Sequence, residues 1–121
     1  MTHPVQVYTH QQEGRRMLFI LPSADSHGKK VYPSHHPIMT ATLAAEAIQA
    51  GACVGVIDAA LLGLSLDEVV ELVLAWKADW IGFVPFEYRR ELPLDTTLLM
   101  VAQLRNRECA AVMGVLNASW G

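Results

Sequence analysis

Three of the chain's five histidines, His27, His35 and His36, fall in the fifteen residues from Pro22 to His36, together with Asp25, Lys29, Lys30 and Tyr32. Imidazole and carboxylate are common partners in proton transfer and common ligands of zinc. Asp25 and His27, joined by the distant Glu87, are therefore a candidate acid–base set. His27, His35 and His36 with Asp25 are a candidate metal set. Neither has a diagnostic spacing. Successive side chains on an extended segment point to opposite sides, so His35 and His36 converge poorly on one ion, and no metal site is expected. Cys53 and Cys109 form no CxxC or zinc pattern and read as small buried hydrophobes. The GxxxxGK[ST] and GxGxxG phosphate loops are absent, and so is the Gly-x-Ser-x-Gly elbow of a nucleophilic serine. Any chemistry must come from where the fold places these residues.

The elements that do the placing are legible as apolar runs. Met17–Leu21, Cys53–Ile57, Trp80–Val84 and Ala110–Leu116 are each continuously apolar and end at Pro22, Asp58, Pro85 and Asn117. Such runs fit strands covered on both faces, as in a parallel sheet. Helical patterns lie between them. Pro37 suits a first helical position, with Ile38, Ala41, Thr42, Ala45 and Ile48 as the expected apolar stripe and Gly51 as the stop. Ser65-Leu-Asp-Glu68 predicts a capping box, followed by a stripe of Leu66, Val69, Val70 and Val73 closed by Trp76. Asp95 is the expected cap of a third helix carrying Leu98, Val101, Ala102 and Leu104.

The order β-α-β-α-β-α-β predicts an α/β fold: a flavodoxin-like, Rossmann-like, doubly wound parallel sheet of four recognisable strands with alternating helices. A complete pattern of this kind has a fifth strand and a last helix. The expected division is a flexible tail over residues 1–16 and one α/β domain over 17–121. At 121 residues, 52% hydrophobic and 17% charged, the chain has the means to build a core, which excludes disorder. A net charge of −3 and scattered basic residues speak against nucleic acid or an anionic membrane as partner. No apolar run approaches a membrane span and Met1–Arg16 has no signal-peptide core, so a cytoplasmic protein is expected.

Open α/β sheets bind ligands outside the carboxyl ends of their strands. The loops there are 22–36, 58–64, 85–92 and 117–121. The first is far longer than the usual ~2–6 residues of a strand-to-helix loop, which marks it as a candidate flap. Val84-Pro85-Phe86 has no aspartate for a phosphoacceptor, and the long, proline-broken first loop does not suit a flavin phosphate.

Tyr32-Pro-Ser-His-His-Pro-Ile-Met-Thr-Ala-Thr-Leu-Ala-Ala-Glu-Ala-Ile-Gln-Ala-Gly51 and Val54-Gly-Val-Ile-Asp-Ala59, followed by Ser65–Val70 and Ala78-Asp-Trp-Ile-Gly-Phe83, resemble the cobalamin-binding N-terminal domain of radical S-adenosylmethionine enzymes. The likeness runs from about Met17 to Leu116. It implies a domain that grips cobalamin edge-on through the loops at the strand ends. The positions it points to are Ser23 after the first strand, Pro85, Phe86 and Glu87 after the third, and Gly114, Val115, Leu116 and Asn117 at the fourth. Tyr32, His35 and His36 would shield the corrin or contact another domain, with Asp25 and His27 in the same loop. Where methionine-synthase-like domains carry D-x-H-x-x-G, this chain has Asp25-Ser-His-Gly28 with Lys30 at the second glycine. The resemblance thus implies a base-off corrinoid without a histidine lower ligand. The chain also departs from the pattern in having Val84-Pro85 where Ser or Thr is frequent, and a single Gly114 where two glycines are frequent. Its two cysteines cannot supply CxxxCxxC, so no iron–sulfur cluster is expected here. The implied function is to present the corrinoid to a radical S-adenosylmethionine catalytic domain, in the same or another chain, for methyl transfer by the assembled methyltransferase. The alternative is a non-catalytic interaction or assembly domain that keeps the fold without the corrinoid site, with homo-oligomers through an open sheet edge.

Overall fold

The computed structural model describes residues 5–7, 15–22, 36–85, 87 and 95–116. In chain order its elements are β1 (Gln6–Val7), β2 (Arg16–Leu21), α1 (Ile38–Gln49), β3 (Cys53–Asp58), α2 (Ala59–Leu62), α3 (Leu66–Trp76), β4 (Trp80–Phe83), α4 (Asp95–Asn106) and β5 (Val112–Val115). Four strands run parallel in the spatial order β3-β2-β4-β5. Counting parallel strands alone, the order is 2-1-3-4. This is the flavodoxin-like order, with its switch point between β2 and β4.

The sequence reading places residues 1–16 outside the domain, but the sheet begins earlier. Gln6–Val7 pairs antiparallel with β3, Val5 is buried, and Arg16 already belongs to β2. Burying Val5 against Gly55 and the Trp76 ring is the reason this short segment docks. It is too short and too polar at Gln6 to announce itself as a strand.

Alternate strand residues face two separate cores, which is what double winding requires. Leu18, Ile20, Ile57, Ile81 and Phe83 pack with Val69, Val70 and Val73 of α3 and with Met100 and Leu104 of α4. Phe19, Leu21, Val54, Val56 and Val84 pack on the other side with Met39, Ala44 and Ala47 of α1. Each full burial of such a side chain contributes about 1.5–3 kcal/mol, so these two layers are the main stabilising force.

The capping box of α3 forms as its sequence predicts. Ser65 Oγ accepts from the Glu68 amide at 3.1 Å, and Glu68 Oε1 accepts from the Ser65 amide at 3.2 Å. The phases of the other two helices differ from expectation. On α1 the inward residues are Met39, Thr40, Ala44 and Ala47, whereas Ala41, Thr42 and Ala45 are exposed and Ile38 is 64% exposed. Pro37 sits one position before the helix, as its N-cap. On α4, Thr96, Thr97, Met100 and Leu104 face inward, and Leu98 and Ala102 face out. Small or apolar residues surround both helices, so periodicity alone carries little phase information. Docking against the sheet sets it.

On the α1 side, β4 and β5 have no helix above them among the described residues. Trp80 covers this area. Gly82 and Gly114 are register partners and form a trough for its indole. The ring meets Phe19 edge-on, 5.8 Å between centroids. At the amino edge of the sheet, Trp76 is held from above by Arg16. The guanidinium lies 4.0 Å from the ring centroid, and its Nε and Nη2 donate to Trp76 O at 3.1 and 3.0 Å.

Candidate functional site at the carboxyl edge of the sheet

The parallel ladder continues one residue past β4 and β5. Val84 N donates to Ile20 O and Leu116 N donates to Phe83 O, each at 2.8 Å. Pro22 and Pro85, which follow β2 and Val84, are both buried. The chain therefore leaves the sheet on either side of the switch point through two buried prolines, which lack the N–H needed to extend the ladder.

Two more elements start at this edge. Asp58 ends β3 and caps α2, its Oδ1 accepting from the Leu61 amide at 3.0 Å. That is the loop-capping role open to an aspartate at a strand end. α1 begins at Ile38 with no cap from the Pro37 side chain and no acidic residue in its first turn. Its acceptor comes instead from the loop after β4. The Glu87 carboxylate accepts from the Thr40 amide at 2.6 Å, and the residue is only 6% exposed. The Thr40 and Thr96 hydroxyls, on the first turns of α1 and α4, are buried without a hydrogen-bond partner among the described residues.

Six of the eight exposed large apolar side chains among the described residues belong to segments that start or end at this edge. They are Ile38 at the start of α1, Leu61 and Leu62 on α2, Leu98 and Leu99 among the first five residues of α4, and Val115 at the end of β5. Sequence reasoning found part of this rim, Val115 and the 58–64 loop that holds Leu61 and Leu62, and missed Ile38, Leu98 and Leu99. Leu98 reads as a core residue from its spacing, and a four-residue helix such as α2 has no periodicity to read. Thr40 and Thr96 were equally invisible, because nothing in the sequence links them to a partner tens of residues away.

The residues singled out from the sequence are distributed unevenly. Ser23, Asp25, His27, Tyr32, His35, Phe86 and Asn117 lie outside the described residues. His36 is exposed just before α1, and Pro85 is buried at the switch point. Glu87 is turned onto α1. Gly114 lies within β5 beneath Trp80, 3.8 Å from the ring if it bore a Cβ, and Leu116 packs in the same layer. Val115, 44% exposed, belongs to the rim.

The opposite, amino edge carries open grooves. One has a volume of about 330 Å³ and is bordered by Val73, Lys77, Asp79, Glu108 and Cys109. It lies away from the edge where open α/β sheets take ligands. Cys53 is buried and Cys109 half-buried, both as free thiols. Among the described residues no group of histidine, cysteine, aspartate and glutamate side chains is placed to hold a metal ion. No described helix is long and apolar enough to cross a membrane.

Comparison of the chain with protein-family models, with curated proteins and with solved structures finds no match.

Proposed function

We propose that this domain is a corrinoid-binding module that presents cobalamin to a radical S-adenosylmethionine catalytic domain for methyl transfer. The observation that carries the reading is the apolar rim at the carboxyl edge of a 2-1-3-4 parallel sheet. Exposed apolar area at one edge marks a ligand or partner site, and the methyl groups and ring face of a corrin offer apolar surface to bury there beside its peripheral amides. Ile38, Leu61, Leu62, Leu98, Leu99 and Val115 would supply that contact, with exposed His36 beside them. When bound, the corrinoid supplies the transferable methyl group. The chain's own task is to orient the macrocycle, exclude water from its flank and leave its other face open to the catalytic domain. The resemblance of the 32–83 region to the cobalamin-binding family supports the same reading and adds Ser23, Tyr32 and His35 from the long first loop. The test is reconstitution with hydroxocobalamin followed by desalting. Retained corrin absorption is expected, and a colourless protein refutes the proposal.

One observation favours a second reading, an assembly domain without the cofactor. β5 is the outer parallel strand, carries no charged residue, and exposes Val112 at 62% and Val115 at 44%. Natural edge strands are usually guarded by lysine, proline or a bulge. Light scattering after size-exclusion chromatography separates the two readings. A colourless, self-associating protein selects the second.

A further inference from the structure

We propose that two copies of this chain join β5 to antiparallel β5 about a two-fold axis at Gly114, and that association stops at the dimer. Such a dimer rests on the second reading above, self-association through the outer strand, and gives it a partner, a register and a stoichiometry. One end of the sheet is already closed. β1 pairs with β3 at Val56 and Gly55 and is anchored by the buried Val5, and at two residues it offers little ladder to a further strand. The other end, β5, has no strand on its outer side among the described residues. Its sequence, Val-Met-Gly-Val, carries no charge to repel a copy of itself.

The backbone of β5 selects the register. Val112 N donates to Asp79 O and Leu116 N to Phe83 O, so residues 112, 114 and 116 turn their amides toward β4. By the alternation of a strand, Met113 and Val115 turn theirs outward. Ala111 is buried, so the open edge begins at Val112. A two-fold axis perpendicular to the sheet keeps each face on its own side. Residues opposite one another must then both lie on the Trp80 face or both on the α4 face. That excludes a register centred between Met113 and Gly114, and a register centred on Met113 calls on the covered Ala111. Centring on Gly114 uses Val112–Leu116 of both copies. It sets Met113 of one copy opposite Val115 of the other, where the outward groups exchange hydrogen bonds, and Val112 opposite Leu116. The axis passes through the close, non-bonded pair, Gly114 against Gly114. Two-fold pairing consumes the β5 edge of both copies, and with β1 closing the far end no longer array grows. A strand pair this short buries far less than the ~1,200 Å² of a stable complex, so the dimer is weak and fills only at high protein concentration.

The experiment is sedimentation equilibrium of the full chain from about 10 μM to about 1 mM, joined to cysteine cross-linking. The wild type should pass from monomer toward dimer over this range and go no further. Val115→Pro removes an outward N–H and none of the bonds to β4, so it should weaken the dimer at least about tenfold with the far-ultraviolet signal unchanged. The register is read in a Cys109→Ser background. Gly114→Cys has room for its side chain, since a Cβ there would meet nothing closer than Trp80 at 3.8 Å. Across the axis its Cα atoms stand about 4.5 Å apart, inside the roughly 4.4–6.8 Å reach of a disulfide. Val112→Cys, exposed but about 14 Å from its counterpart along the strands, is the control. The Gly114 variant should form the disulfide dimer at least about tenfold faster than the control. Equal rates overturn the register, and so does a dimer indifferent to Val115→Pro; either result leaves the second reading standing. Species larger than a dimer overturn the closed stoichiometry. A strict monomer at the highest concentration overturns this proposal and the second reading together. Hydroxocobalamin uptake is a separate readout and decides the corrinoid reading alone.

Discussion

Gly82 and Gly114 sit side by side in the sheet, face the same way and lie under the same indole, yet alanine should act on them with opposite sign. A Cβ on Gly82 would stand 2.7 and 2.8 Å from Cζ3 and Cη2 of Trp80 and 2.8 Å from Cδ1 of Leu116. A Leu methyl can swing away, but an indole is rigid, so the ring must lift from its trough. That disturbs its edge-on contact with Phe19. Overpacking of this kind costs about 1–3 kcal/mol, and the aromatic pair adds about 0.5–1.5 kcal/mol. The lower entropy of the unfolded alanine chain offsets about 0.4–1 kcal/mol. Gly82→Ala should therefore destabilise by about 1–3 kcal/mol. At this chain length that lowers Tm by roughly 5–15 °C. At Gly114 the nearest atom would be Trp80 Cζ2 at 3.8 Å, an ordinary contact. Only the entropic gain remains, and Gly114→Ala should be neutral or stabilising by up to about 1 kcal/mol. Urea unfolding followed by far-ultraviolet circular dichroism measures both, and near-ultraviolet signal from Trp80 should change in the Gly82 variant alone. Equal effects at the two positions, or a larger loss at Gly114, would refute the placement of the ring.

Three other outcomes are expected. Ser65→Ala removes one half of the α3 capping box and should cost about 1 kcal/mol in chemical denaturation. Arg16→Ala loses both the fork onto Trp76 O and the stacking on its ring, and should cost about 2 kcal/mol; Arg16→Lys, which has no planar fork, should recover less than half of that. Glu71 on α3 and Arg107 after α4 pair at 2.7 Å on an exposed surface, so Glu71→Gln should leave the unfolding midpoint almost unchanged at high salt. The Arg107 hydrogen bond, and then its charge, hold the Glu71 carboxyl below its ordinary value. Any contribution of the pair is therefore present above the ordinary glutamate range and lost as pH falls through the lowered folded value. A wild-type-minus-variant difference that grows with acid would contradict that sign.

The parts of the fold that were legible are those where a single segment carries its own signal. Four uninterrupted apolar runs read as strands covered on both sides, and the alternation with helices then leaves a parallel, doubly wound sheet; the first three are covered so, while β5 leaves Val112 and Val115 exposed. Ser65 and Glu68 announce a helix start because the capping box needs nothing beyond four residues. Gly51, with φ +93°, takes the left-handed turn after α1 that its position suggested. Helix phase was less legible. The sequence of α1 is apolar on almost every side, and Ile38 reads as core where the fold leaves it exposed.

By itself, then, the sequence determined the strand and helix order, the sheet type and which loops form the carboxyl edge, because hydrophobic runs, caps and handed crossovers are local and repetitive physics. Only the tertiary structure decided what that edge is made of. Glu87 looked like one more candidate ligand contact, but packing buries it on the start of a helix 47 residues earlier in the chain. Gly114 looked like backbone opened for a cofactor, but strand pairing sets it beside Gly82 beneath an indole. The reason is the same in both cases. Residues distant in sequence meet only when register and helix docking are settled, and those follow from burying two cores at once, which no single segment encodes.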